Sequence, residues 1–353
     1  MSTLTLTYQK DKKQLMVLGV LTLSLVGVLI LSLSMGAFPI SSSKVIFVIF
    51  DAIGLPTGEF TYQESKVLLG IRLPRVLLAM IVGGGLGLSG AALQGLFRNP
   101  LVEPGLIGVS SGGALFAVIF IVFGSSLPFL SYFGAVGLPF FAFLGGLLNT
   151  FLVYKLASQS GKTDISLLIL AGVALNALSG ALIGLVIFYA DDAALRNFTF
   201  WSLGDVGGAN WQKVGVCFLF VLGPIGLILS QYRQLNALAI GENEAFHMGV
   251  NVQVVKYILL FSSALIVGTA VSLTGTIGFV GLIVPHLIRL LYGADHKLVL
   301  PASFLLGAIL LSLADILART LVVPAELPIG IITAILGAPF FIWLIINFKK
   351  IRS

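Results

Sequence analysis

Charge is what this chain has least of. Only 10% of its 353 residues are Asp, Glu, Lys or Arg, against about 25% in a typical soluble domain. With 58% hydrophobic residues and a mean hydropathy of +1.09, a large soluble core is excluded and an integral membrane protein is expected. Cysteine is equally scarce. Cys217 stands alone, which rules out an intrachain disulfide and a cysteine-based zinc site. The three histidines, His247, His286 and His296, are too scattered for a metal cluster. The net charge of +6 does not point to nucleic acid, because the basic residues fall mostly between apolar runs, as the positive-inside bias requires. Lipid, not nucleic acid, is the expected surrounding.

What is abundant is long apolar sequence. A helix crosses the hydrocarbon core with about 20 apolar residues. Ten spans are expected, near 15–35, 76–97, 105–124, 135–154, 165–188, 213–230, 254–274, 278–292, 299–318 and 329–348. The first follows Lys10, Lys12 and Lys13 and exceeds the roughly 7–15 residues of a signal-peptide core, so it is expected to be retained. Residues 104–154 are uncharged and hold two spans, with a hairpin near Gly124-Ser125-Ser126. The 278–292 span is short. Ten spans put both termini on one side. With that side inside, thirteen basic residues lie in and seven lie out, among them Arg72, Arg75, Arg196 and Arg319. The outer arginines run against the rule and call for a reason. The longest outer segment, 36–75, carries Ser41-Ser42-Ser43 before Val45–Phe50, which predicts a short surface helix.

An internal repeat is suggested at an offset of 185 residues. Val82-Gly83 matches Val267-Gly268, Leu88-Ser89-Gly90 matches Leu273-Thr274-Gly275, and Pro100, Leu106 and Gly108 match Pro285, Leu291 and Gly293. The matched spans lie five apart, so the halves would be inverted, as in many transporters. Gly83, Gly84, Gly85, Gly87 and Gly90 crowd one span, and Gly180 and Gly184 recur in another. Small residues allow close helix packing in lipid. The fold class expected is an all-α polytopic membrane protein, about ten helices in a compact bundle with an inverted repeat.

Few residues could carry chemistry. Ser160-Gly161-Lys162-Thr163 resembles the end of a phosphate-binding loop, but Leu156 stands where the pattern needs glycine. The chain is therefore not expected to hydrolyse ATP or to be an enzyme. Asp315 and Arg319, four apart, either pair along their helix or leave Arg319 pointing outward. No carboxylate is expected near the midplane, which disfavours ion coupling. Energy would then come from another subunit. The inner loop, 231–253, reads as two short helices either side of Gly241-Glu242 with a partly apolar face, suited to a groove on a partner.

Together these pieces resemble the permease subunits of ABC importers for iron chelates and cobalamin. The matches are Arg72-Leu73-Pro74-Arg75, Ser89–Gln94, Asn99-Pro100-Leu101, Glu103-Pro104-Gly105, Gly108–Gly112, Leu170–Leu175, Phe200–Gly204, Gly241-Glu242, Gly278–His286 and Ala325–Gly330. The resemblance implies a dimer, of this chain or with a close paralogue, in the bacterial cytoplasmic membrane with both termini cytoplasmic. It implies two cytoplasmic ATPase subunits, which bind ATP and magnesium, and an extracytoplasmic binding protein. No cofactor is implied in this chain. Arg72, Arg75 and Arg319 would receive acidic residues of the binding protein. Asn99, Pro100, Leu101 and Thr163 would form the cytoplasmic gate, and Ala239, Gly241, Glu242 and Ala245 would couple to the ATPases. The substrate implied is a ferric siderophore or haem. Cobalamin transport by the same fold and an ion-coupled secondary transporter remain as alternatives.

Overall fold

In lipid each backbone must satisfy its own N–H and C=O groups, so apolar runs fold as helices. The computed structural model describes residues 2–36, 38–55, 58–124, 132–159 and 162–352. Each expected span is one helix: α1 (Ser2–Ser34), α4 (Leu73–Phe97), α5 (Val109–Phe123), α6 (Gly134–Ala157), α7 (Ile165–Phe188), α9 (Trp211–Ser230), α12 (Val252–Thr274), α13 (Val280–Tyr292), α14 (His296–Thr320) and α15 (Ile329–Arg352). The protein is an all-helical polytopic membrane protein. The expected hairpin at Ser125-Ser126 and the Ser160-Gly161 pair lie outside the described residues.

The 36–75 segment holds α2 (Ser42–Ala52), as expected, and α3 (Tyr62–Val67), which was not. Ser41 precedes α2, but its hydroxyl meets Ser43 Oγ at 3.1 Å rather than capping the helix. α3 opens on a reciprocal cap: Glu64 N donates to Thr61 Oγ1 and Thr61 N donates to the Glu64 carboxylate. A π-helical turn, Leu68–Arg72, runs from α3 into α4. Between α7 and α9 lies α8 (Asp192–Ser202), capped by Asp191.

The short spans have a physical reason. α5 and α13 have 15 and 13 residues, about 22 and 20 Å of helix, too little for a hydrocarbon core of about 30 Å. They need not cross it. Gly281, in the first turn of α13, lies against the Leu86 carbonyl at the middle of α4, and Pro104 packs on the same glycine. The linkers 98–108 and 275–279 thus turn back into the bundle and meet halfway, where protein rather than lipid surrounds their irregular backbone.

Helix lengths repeat. α4 to α7 have 25, 15, 24 and 24 residues, and α12 to α15 have 23, 13, 25 and 24. The constant offset of 185 residues does not hold, however. Pro100 lies in the turn after α4 whereas Pro285 lies inside α13, and Gly90 is mid-helix whereas Gly275 ends α12. Linkers of unequal length break a single register, so the halves correspond element by element.

α4 is the central helix. The window containing it is 83% buried, against 11% for that of α7. Its chief neighbour is α14. A Cβ on Gly83 would fall 2.4 Å from the Gly307 carbonyl oxygen, and one on Gly307 would fall 2.3 Å from that of Gly83. Backbones meet directly because neither residue has a side chain. Gly180 and Gly184 depart from this expectation: nothing lies within 4 Å of either, since α7 turns that side outward.

Candidate sites at the two ends of the bundle

Arg72, Arg75 and Arg319 come together at one end of α4 and α14, around a pocket of about 200 Å³. All three are buried, and each is held by this chain. Arg72 donates to the carbonyls of Leu33 at 2.7 Å and Ser34 at 3.2 Å, and to that of Phe38. Arg75 meets the wholly buried Asp315 at 2.8 Å through Nη2 and 2.9 Å through Nε. Its Nη1 reaches both carboxylate oxygens of Glu326, at 3.0 and 2.9 Å. Arg319 donates to the Ser32 carbonyl at 2.6 Å, and its Nε stands 3.5 Å from Asp315 Oδ2. The local Asp315–Arg319 pairing is therefore present, and Arg319 does not point outward. Two Arg75 nitrogens thus converge on the single oxygen Asp315 Oδ1 in charge-assisted hydrogen bonds, while Oδ2 faces Arg319 without a hydrogen bond.

Glu326 went unmarked as a functional residue in the sequence. Its side chain is 47% exposed, the one open member of the cluster. It also lines a second cleft of about 400 Å³, shared with Phe200, Trp201, Asp205, Lys213 and Thr274. That cleft is where distant motifs converge. Gly204 carbonyl accepts from Ile329 N and Leu203 carbonyl from Gly330 N, both at 3.0 Å, and Asp205 N donates to the Thr274 carbonyl at 2.7 Å.

At the opposite end, Asn99, Pro100 and Leu101 form an exposed turn in which Leu101 N donates to Asn99 Oδ1 at 2.9 Å. Thr163 closes a two-stranded hairpin, β1 (Ser158–Gln159) with β2 (Lys162–Thr163), in antiparallel register. It is buried, and its amide donates to Gln253 Oε1 at 2.9 Å. Among the described residues no hydrogen bond joins this hairpin to the Asn99 turn, so the two gate candidates stay separate.

The 231–253 loop folds as expected into α10 (Tyr232–Ile240) and α11 (Glu242–His247), with extended backbone at Gly241 forming the corner. Of the four coupling candidates, Ala239 is exposed, Glu242 is partly exposed, and Gly241 and Ala245 are buried. Ala245 is thus core rather than surface. The apolar surface of this corner is Ile240, Phe246 and Met248, each more than 60% exposed. Helical periodicity could have separated these from Ala245.

Halfway between the ends sits a carboxylate that was not expected there. Glu103, in the 98–108 linker, accepts from Phe279 N at 3.1 Å, at the start of α13. Because that linker turns back into the bundle, a residue that reads as a loop acid lies at the depth of the middle of α4. It meets the positive end of a half-length helix. Nearby Gln94 donates to the carbonyls of Val102 and Leu282 and accepts from Arg289.

Residues 23–347 match the model of the FecCD transport family. The chain belongs to that family. This FecCD-family protein is 49% identical over 287 residues to the Hemin transport system permease protein HmuU of Yersinia pestis, covering 81% of this chain and 84% of the relative. It is 40% identical over 292 residues to the vitamin B12 import system permease BtuC of Vibrio cholerae, covering 83% and 86%. A solved metal-chelate-type ABC transporter in an inward-facing conformation superimposes with a TM-score of 0.81 at 36% identity, over 94% of this chain and 98% of that one. The FecCD-family chain is therefore a non-catalytic, multi-pass ABC transporter permease, from a family whose permease subunits carry no cofactor.

Proposed function

We propose that this permease is the membrane pathway of an ATP-driven importer of an iron chelate, haem or a ferric siderophore, in the bacterial cytoplasmic membrane with both termini in the cytoplasm. The observation that carries the substrate is the 49% identity to a hemin permease, above the 40% and 36% to relatives named for vitamin B12 and iron–hydroxamate import. The Arg72 end is the outer face. There a binding protein docks on the arginine pocket and the Trp201 cleft, reading the rim through Glu326 and reaching Arg75 behind it. Arg72 and Arg319, whose donors are held by backbone and serine oxygens, keep that pocket basic.

The Glu242 end is cytoplasmic. Two ATPase subunits seat on the α10–α11 corner through Ile240, Phe246 and Met248, with Glu242 beside them. ATP binding closes the ATPases, the corners follow, and the Asn99–Leu101 turn and the Thr163 hairpin open or shut the inner gate. A second copy, or a close paralogue, completes the path. The open face of α7 around Gly180 and Gly184 supports such a pairing, since glycines let helices approach closely. The chain makes and breaks no covalent bond.

The test is uptake into proteoliposomes holding the permease with its ATPase and binding protein, offered haem, a ferric siderophore or cobalamin. ATP-dependent entry of haem or the siderophore is the expected result. Entry of cobalamin alone would reassign the substrate. Entry driven by an ion gradient without ATP would overturn the importer reading.

A further inference from the structure

Lys256 stands in the second turn of α12, and only 2% of it is exposed. Its ammonium donates to Glu242 Oε2 at 2.8 Å and to the Thr163 carbonyl at 2.8 Å. One acceptor begins α11 at the Gly241 corner. The other ends the β1–β2 hairpin. Among the described residues, no direct hydrogen bond or ion pair joins corner and hairpin, and they lie 79 positions apart in sequence. The hairpin is itself well anchored. Ser158 Oγ and Thr163 Oγ1 are 2.8 Å apart, and Asp164 N donates to the Ala157 carbonyl at 3.0 Å. Asp164 Oδ1 then accepts from Leu167 N at 2.9 Å, at the start of α7. A pull on the Thr163 carbonyl therefore acts on the hairpin as a unit and on the first turn of α7.

We propose that Lys256 is the tie that carries movement of the Glu242 corner to the Thr163 hairpin. The inference rests on the coupling and gate roles proposed above, and it names the residue that joins them. A buried ammonium is stable only while its donors meet acceptors and its charge is balanced. Glu242 supplies the balancing charge, and its side chain is 34% exposed, so it is the acceptor an ATPase can reach. If the corner moves and takes Glu242 with it, Lys256 either follows or is left buried beside one neutral carbonyl. Following drags that carbonyl. Staying leaves an unbalanced charge in a low-dielectric site. In both cases the corner's position and the hairpin's position share a free energy, which is what coupling between sites means.

The experiment uses the complete transporter in proteoliposomes. Cys217 is buried and is the one cysteine of this chain, so labelling of a single reporter cysteine is read on the permease band alone. Gln159→Cys places it on the exposed side of the hairpin, and the rate of maleimide labelling is measured with and without ATP. In the otherwise native chain the rate is expected to change on ATP addition. With Lys256→Met the ATPase still copurifies and hydrolyses ATP, but the labelling response disappears and uptake falls by about tenfold, the scale one coupling residue can carry. Lys256→Arg, which keeps the charge and several donors, restores most of the response. If Lys256→Met does not assemble, Lys256→Gln replaces it in the same assay. A labelling response that survives loss of the lysine's charge would overturn the tie. A native hairpin that never responds to ATP would remove the tie together with the gate role of Thr163. Loss of ATPase copurification in Glu242→Arg, with the response intact in Lys256→Met, would leave the coupling corner standing and remove Lys256 from it.

Discussion

At the Arg72 end, Asp315 sits between Arg75 and Arg319, and the three belong to α4 and α14, helices whose backbones touch. At the Glu242 end, one lysine on α12 holds two segments that otherwise share no ion pair or hydrogen bond among the described residues. Both clusters bury charge; the Lys256 ammonium meets two acceptors, whereas Asp315 Oδ2 and Arg319 Nε, 3.5 Å apart, pair by charge without a hydrogen bond. They differ in what they connect. The first ties elements whose backbones already touch, so loss of its buried Asp315 falls first on stability, whatever docks on its open rim. The second ties segments that share no bond of their own, so under the coupling proposed above its loss falls on transmission. Burial alone therefore does not tell a structural charge from a working one; how else the partners are joined does.

The largest loss is expected at Asp315. Asp315→Ala leaves two buried guanidiniums without their shared carboxylate and is expected to destabilise the fold by about 3–5 kcal/mol, read as a lower unfolding temperature in detergent. Normal stability with lost uptake would make the outer cluster a working one as well. At the other end, Glu242→Arg sets two cations against each other at the corner. Uptake is expected to fall by about tenfold or more, the upper range for one coupling position, with a smaller drop in melting temperature than for Asp315→Ala, because Lys256 loses its balancing charge at a site where the Glu242 side chain is partly exposed. A melt as low as that of Asp315→Ala would erase the distinction between the ends.

Finer tests use the exposed partners. Glu326→Gln removes only the half-open member of the outer cluster and should cost no more than about 1 kcal/mol in stability. Its measurable effect is expected on binding-protein affinity and its salt dependence; unchanged affinity would confine docking to other residues. The smallest effect is expected for Asp11→Ala. That residue pairs with Lys297 at 2.7 Å, but both side chains are about half exposed, and such pairs contribute about 0–1 kcal/mol. A clear drop in melting temperature would show that α1 and α14 depend on this contact.

How far the sequence could be read differs along the same lines. The ten helices were legible because hydropathy and length fix them before any tertiary contact forms. The mid-membrane start of α13 was not, since a run of 13 apolar residues reports its own length but not its depth. Arg72, Arg75 and Arg319 stood out because outer arginines oppose the charge rule. Their burial did not, because the partners are remote: Arg75 and Asp315 are 240 positions apart. Lys256 read as one more inner basic residue, and nothing local marks it. Glu103 read as a loop acid for the same reason as α13: its linker turns inward. The register of the repeat was misplaced because Gly, Pro and Leu recur throughout such a chain, and unequal linkers defeat a fixed offset.

The Gly83–Gly307 contact also constrains the transport cycle. A carbonyl oxygen of each helix lies 2.3–2.4 Å from where the other's Cβ would be, so a side chain at either glycine would force the two helices apart. With Gly87 against the Ser303 carbonyl as well, such close packing would favour α4 and α14 moving together as a single beam. A beam that tilts about its centre moves its ends in opposite directions. The turn at Asn99 would swing one way as the pocket at Arg75 swings the other, so one rigid element suffices to make opening at one face and closing at the other the same event.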